Sequence, residues 1–243
     1  APLPAVGQRA SFAERGTAIH DAVEAFEKNK GDENLSSLMT TQLLSKGFSP
    51  SDVQLQKPLW SRTAQAYLNW RSKRAQKVKE HWEEIEGEIT VELSGRQFKL
   101  TAKADRIEHL TNNSFAIIDF KTGAAKSPKE VTTGLEPQLS LEVAIAHKGG
   151  FGKLPALESS ELIYVSLSPG IATLSDRNGQ PLDINVMETA QDAFDGFITM
   201  VKAYCNPQQP YLSKPRAKFA WSVSDYDRLA RRAEWTSDEG DEA

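Results

Sequence analysis

The segment from Thr101 to Gly123, TAKADRIEHLTNNSFAIIDFKTG, constrains this chain more than any other stretch. It holds two short apolar runs, each ending near a carboxylate, separated by the polar cluster Thr111-Asn112-Asn113-Ser114. Such a cluster between strand-like runs predicts a β-hairpin. Strand side chains alternate, so Ile117, Asp119 and Lys121 share one face of the second run. A carboxylate and an ammonium two residues apart, facing a second carboxylate at Asp105, would make a divalent-metal site with a cation beside it. That is the pattern of a nuclease active site, and the remaining sequence is weighed against it.

The wider composition bounds the fold. At 243 residues the chain can bury a sizeable core, and 39% hydrophobic with 26% charged residues describes a soluble globular protein. No apolar run approaches the roughly 18–20 residues that span a bilayer, so no membrane partner is expected. The start, APLPAVGQRASF, carries neither an initiator Met nor a targeting signal and reads as an excised piece of a longer polypeptide; the acidic end SDEGDEA reads as a solvated tail. Cys205 is the only cysteine, which excludes internal disulfides and thiolate-rich zinc or iron–sulfur sites. The net charge of −4 argues against indiscriminate coating of nucleic acid but leaves room for a local basic groove.

In chain order, Ser11 to about Asn29 reads as a helix with a Ser11/Glu14 capping box and an apolar stripe of Ile19, Ala22, Val23 and Phe26, beside which lies His20. A short helix falls between Gly31 and Gly47, and Ser49-Pro50-Ser51-Asp52 begins another turn or cap. Pro58 to about Glu86 reads as one long helix through Trp60, Tyr67, Trp70 and Trp82, whose aromatics suit packing better than base stacking. Its polar side carries Arg71 and Arg74, either a solvated face or a DNA contact. Strands are expected at Glu88–Leu93, Gln97–Ile107 and Ser114–Lys121, with a polar loop after Gly123. A mostly buried helix follows over Gln138–His147, then a strand over Glu161–Leu167, a possible one over Ile171–Leu174, and an amphipathic helix over Val186–Tyr204. Lys214 and Arg216 lie in a basic loop, and Tyr226–Trp235 reads as a terminal helix. The division expected is one domain over 11–222 and a helix with an acidic tail over 223–243.

Phosphodiester hydrolysis needs an activated water, neutralised phosphate charge and a stabilised leaving oxygen, most of which a divalent ion supplies. Asp105 and Asp119 are the candidate carboxylates, and the backbone carbonyl of Phe120 lies between Asp119 and Lys121. Beside two carboxylates the ammonium form of Lys121 is favoured, so it would orient the attacking water rather than act as a free-amine base. Among the upstream glutamates Glu84, Glu86 and Glu88, Glu88 is the best supporting candidate because it starts the first strand. Taken alone, an Asp-x-Lys on a strand is more often a surface ion pair than a catalytic centre.

Four motifs in order change that reading. Arg15–His20 (RGTAIH), Ala102–Glu108 (AKADRIE), Ile117–Gly123 (IIDFKTG) and Pro137–Glu142 (PQLSLE) together resemble the PD-(D/E)XK nucleases of the RecB type. More narrowly they resemble the C-terminal nuclease domain of the AddB family, subunits of bacterial AddAB helicase–nucleases that process double-strand breaks for recombination. The resemblance implies an α/β restriction-endonuclease-like core: a mixed central sheet with an antiparallel meander, flanked by helices, with further N-terminal helices. It also implies an Mg²⁺- or Mn²⁺-dependent deoxyribonuclease, an exonuclease in its complex. The metal would be held by His20, Asp105, Asp119 and the Phe120 carbonyl, with Lys121 beside the nucleophilic water and Gln138 facing DNA. Arg106 follows the first aspartate as in the family and would contact DNA; Arg71 and Arg74 on the basic helix face, and Lys214 and Arg216 in the basic loop, are the further candidate DNA contacts, with a plain solvated surface as the alternative for each. The implied partners are single-stranded DNA, an AddA-type helicase–nuclease subunit and the rest of an AddB chain, in a bacterial cytoplasm. The alternative is a non-cleaving DNA-binding or scaffolding module of the same complex, against which the intact Asp105, Asp119 and Lys121 count. The sequence departs from the family in two places. Glu142 stands where relatives carry a tyrosine and shares a helix face with Gln138; it either adds a carboxylate near the site or, the preferred reading, is a satisfied polar residue. Without further cysteines this chain cannot hold the iron–sulfur cluster of some AddB relatives.

Overall fold

The computed structural model describes residues 11–29, 31–174 and 178–210. Helix α1 (Phe12–Lys28) begins at the Ser11/Glu14 capping box, which satisfies two of the first turn's free amides. Helix α2 (Leu35–Ser45) follows, capped by Asn34. Helix α3 spans Pro50–Arg74, with Ser49 as N-cap and Pro50 at its first turn. Three strands come next, β1 (Val78–Leu93), β2 (Arg96–Leu110) and β3 (Phe115–Lys121). A short helix α4 (Pro128–Thr132) and helix α5 (Gln138–His147) lead to strand β4 (Ser159–Ser166) and helix α6 (Val186–Tyr204).

The sheet order is β1-β2-β3-β4, with antiparallel pairing from β1 to β3 and β4 parallel to β3. It is therefore a mixed sheet containing an antiparallel meander, and the β3–α5–β4 crossover supplies the helix that a parallel connection requires. Alternation along β3 and β4 sends side chains to two different cores. Ile118, Phe120, Ile163 and Val165 pack with α1, α2 and α3. Phe115, Ile117, Leu162 and Tyr164 pack with α5 and the start of α6. The helices cover both faces, as expected of an α/β architecture of the restriction-endonuclease type. By internal packing the chain divides into two compact units, Ala1–Thr199 and Met200–Ala243. No described helix is long and apolar enough to cross a membrane.

Three expectations are corrected here. The long helix does not run from Pro58 to Glu86: it starts eight residues earlier and stops at Arg74, and residues 78–86 form the first half of β1. Val78 and Trp82 fall at helical spacing, but the segment has a ready partner in β2, and the ladder closes beyond it with Thr111 N–H donating to the Lys77 carbonyl at 2.8 Å. Second, the loop after Gly123 contains α4, whose Ser127/Glu130 capping box supports a single turn and a half of helix. Third, Ile171–Leu174 joins no strand. The aromatics Trp60, Tyr67 and Trp70 are buried in the helical core, as their spacing implied. The expected terminal helix at Tyr226–Trp235 lies outside the described residues.

Candidate active site

Four elements bring the predicted polar residues together. Helix α1 carries His20, β2 carries Asp105, β3 carries Asp119 and Lys121, and α5 opens with Gln138. The β2–β3 ladder has its last pair at Arg106↔Ile118. Beyond it the Phe120 amide has no strand partner on that side, and the Asp105 carboxylate accepts it through Oδ2 at 2.7 Å. This bond stations Asp105 at the end of β3. Its other oxygen, Oδ1, lies 3.5 Å from His20 Nδ1.

Asp119 projects to the opposite face of β3, toward α5, and is 2% exposed. Lys121 Nζ lies 3.0 Å from its Oδ1 and 2.8 Å from its Oδ2. Gln138 Nε2 donates to Oδ1 at 2.8 Å, and Gln138 Oε1 accepts from Lys121 at 3.4 Å. The lysine is off-line for a hydrogen bond to Oδ2, which is buried and has no hydrogen-bond partner. Burial, reinforced by the Asp105 charge, pushes the Asp119 carboxyl up to about 6 against the pull of Lys121 and His20. Burial also opposes a charge on His20, but the Asp105 hydrogen bond, the charges of Asp105 and Asp119 and the Phe120 backbone outweigh it and raise the imidazole.

These residues fit a hard divalent cation. Ligand-type atoms of His20, Asp105 and Glu84 all lie within 4.8 Å of one another. Asp119 is outside that trio, with Lys121 2.8 Å from its Oδ2 and Gln138 on its Oδ1; burial and the Asp105 charge raise its carboxyl, and a divalent cation at the site would favour its ionised form. Glu84 is the residue that sequence reasoning passed over in favour of Glu88. Glu88 is exposed and pairs with Lys99 on the outer part of the hairpin. Glu84, between the pairs Glu83↔Arg106 and Ile85↔Ala104, stands opposite Asp105. The signal was present: counting back from the Ser94-Gly95 turn, one residue for one, places Glu84 against Asp105. Treating residues 78–86 as helix concealed it.

Glu142 also differs from expectation. It is 2% exposed, its Oε1 accepts from Gln138 Nε2 at 3.3 Å, and its Oε2 is buried without a partner. Burial, with the nearby Asp119 and Asp105 charges, pushes it up to about 8. It is thus a third acid behind the site rather than a fully satisfied polar residue. The neighbouring Tyr164, paired in register with Asp119 and lying 5.9 Å below Lys121 Nζ, likewise buries a hydroxyl with no hydrogen-bond partner.

Of the expected DNA-contacting arginines, Arg74 and Arg106 turn inward, while Arg71 stays partly exposed. Arg106 is 3% exposed and clamps Glu83 at 2.5 Å and Glu108 at 2.8 Å. Arg74 is 8% exposed and joins Glu108 at 2.6 Å and Glu161 at 2.9 Å. Arg71 reaches Glu27 at 2.7 Å and is spent on that pair. The buried Glu27 and Glu108, with the partly buried Glu83 and Glu161, draw the Arg74 and Arg106 guanidiniums inside, because an unpaired buried charge costs several kcal/mol. Burial, with the Glu27 and Glu108 charges alongside, pushes Glu83 up to about 8 against the pull of Arg106. Burial also opposes ionisation of Glu27, but bonds from His81, Tyr67 and Arg71 and the Arg106 charge bring it down to about 2. A cleft of about 730 Å³ lies over Glu27, His81 and Glu83 and touches the metal-type trio only at Glu84. Lys214 and Arg216 lie outside the described residues.

Comparison with known proteins agrees with this geometry. The chain is 26% identical to an uncharacterized protein of Rickettsia bellii over 78% of its length, and 29% identical to the uncharacterized protein RC0550 of Rickettsia conorii over 58%. It spans only 25% and 18% of those proteins, about a fifth to a quarter of their length. The crystal structure of SSO0001 is 16% identical and covers 76% of this chain and 74% of its own, at a TM-score of 0.29, too low to carry an argument. The family match is far broader: residues 3–229, nearly the whole chain and every element of the site, fit the PD-(D/E)XK nuclease superfamily, to which the chain belongs.

Proposed function

We propose that the chain is a divalent-metal-dependent deoxyribonuclease, the nuclease domain of an AddAB-type helicase–nuclease that trims DNA ends during double-strand break repair. The observation that carries the nuclease chemistry is the buried Asp119, gripped by Lys121 and Gln138 and coupled in charge to Asp105 and His20. The AddAB assignment rests on the four ordered motifs. A chain that spans about a quarter of its relatives is compatible with a module inside a larger machine.

His20, Glu84, Asp105 and Asp119 would hold Mg²⁺ or Mn²⁺. When bound, such an ion polarises the phosphate and acidifies a water. Lys121, anchored by Asp119, would hold the attacking water and offset charge on the phosphate. Gln138 fixes the lysine and the carboxylate relative to each other through its two ends, so the angle of attack is set before substrate arrives. Glu142 supports Gln138 from one helical turn behind.

Incubating the chain with single-stranded DNA and Mg²⁺ or Mn²⁺ should give cleavage that EDTA abolishes. Asp119→Ala or Lys121→Ala should each lower the rate by about a hundredfold or more. Undiminished cutting by either variant would refute the assignment.

A further inference from the structure

The first turn of α1 presents an aromatic platform that the nuclease chemistry does not use. Phe12 is 81% exposed, more than any other described aromatic residue. The Arg15 guanidinium lies over its ring at 5.1 Å and over the Phe48 ring at 5.8 Å, so a cation is stacked between two aromatic rings at the surface. Arg15 makes no ion pair among the described residues, and the nearest carboxylates in sequence are engaged elsewhere. Glu14 closes the helix cap through Ser11, and Asp21 pairs with Lys46 at 2.7 Å.

The platform is continuous with the active site. Phe12, Gly16 and His20 are successive i, i+4 positions on one side of α1. A Cβ placed on Gly16 would lie 3.5 Å from Thr122 Oγ1, so this helix passes directly beside the residue that follows Lys121. From Phe12 to His20 the helix rises roughly 12 Å, a distance of a few nucleotides. An exposed aromatic face beside an unpaired guanidinium is what single-stranded nucleic acid uses: a base stacks on the ring and the cation meets the backbone. Stacking tolerates any base, because every base has a π-face.

We propose that Phe12, steadied by Arg15 and Phe48, is a stacking subsite for an unpaired nucleobase a few nucleotides from the scissile phosphate. This deepens the DNA-nuclease reading and rests on it for its substrate class.

The test is a binding cycle with the 243-residue chain in EDTA, so that affinity is read without cutting. The probe is a fluorescein-labelled oligothymidine, intact or with one abasic site moved along its length. Phe12→Ala should weaken binding of the intact oligonucleotide about tenfold. Removing the base at one register should weaken the parent protein equally, and combining the two changes should add nothing further. Phe12→Trp should keep the parent affinity. The subsite is refuted if Phe12→Ala binds as the parent does, if its loss is the same for every abasic position, or if the parent does not bind at low salt. A failure of the nuclease assignment would show instead in cleavage by the Asp119 variant, which this measurement does not involve.

Discussion

Glu142 is where a single side chain most changes how the molecule responds to its surroundings. Unfolded, its carboxyl titrates near 4.5; folded, burial and the two aspartates move it to about 8. Between those values the unfolded chain gives up a proton that the folded chain keeps. Its contribution to stability is therefore complete below about pH 4.5 and is lost as pH rises toward 8. At 1.36 kcal/mol per unit the loss reaches up to about 5 kcal/mol in the metal-free protein. Glu142→Gln keeps the shape and the Gln138 contact but cannot ionise. Chemical denaturation in EDTA from pH 5 to 9 should therefore show a flatter stability profile for the variant, with the two proteins alike at pH 5 and the variant ahead at pH 9. Parallel profiles would mean that Glu142 is already ionised in the folded protein.

At the level of elements, the long β1–β2 hairpin depends on a close approach that a methyl group would block. Gly87 faces the buried Phe151 ring, and a Cβ there would come within 2.5 Å of it. The neighbouring Gly150 carbonyl accepts the Glu88 amide at 3.0 Å, so the loop after α5 is laid against β1 at this point. Gly87→Ala should cost about 1–3 kcal/mol by forcing the ring or the strand aside, whereas Gly152→Ala, which meets nothing, should melt like the parent. Thermal denaturation of the two variants decides it. Elements like these differ in how plainly the sequence announces them. Helices α5 and α6 were legible to the residue, because Pro137 and Gly149 bracket one and an uninterrupted amphipathic stripe marks the other. The α3–β1 junction was not, since Val78 and Trp82 satisfy a helical period and only pairing with β2 settles the matter. At the site, His20, Asp105, Asp119, Lys121 and Gln138 could be placed in advance by motif. The inward turn of Arg106 was marked only in part: Glu108, two residues on, shares its strand face, but Glu27 and Glu83 come from α1 and β1 and nothing beside it in sequence points to them.

For the whole molecule, charge bookkeeping limits how DNA can be held. The net charge is −4, and three of the arginines that the sequence offered for the phosphate backbone are consumed by internal carboxylates. Among the described residues, Arg15 on α1, Lys121 beside Asp119 at the site and the exposed Lys129 on α4 are three cations that could meet phosphate. A strand held by so few cations would gain most of its affinity in EDTA from stacking at the proposed Phe12 subsite rather than from counterion release. Each phosphate neutralised on a single strand contributes about −0.7 to the slope of log affinity against log salt. Three contacts therefore predict a slope of roughly −2 for oligothymidine binding in EDTA, read by fluorescence anisotropy between low and moderate salt. A slope steeper than about −5 would require about seven or more phosphate contacts. The described residues beside the site do not offer that many cations, and the main DNA path would then have to draw on basic residues elsewhere in the chain.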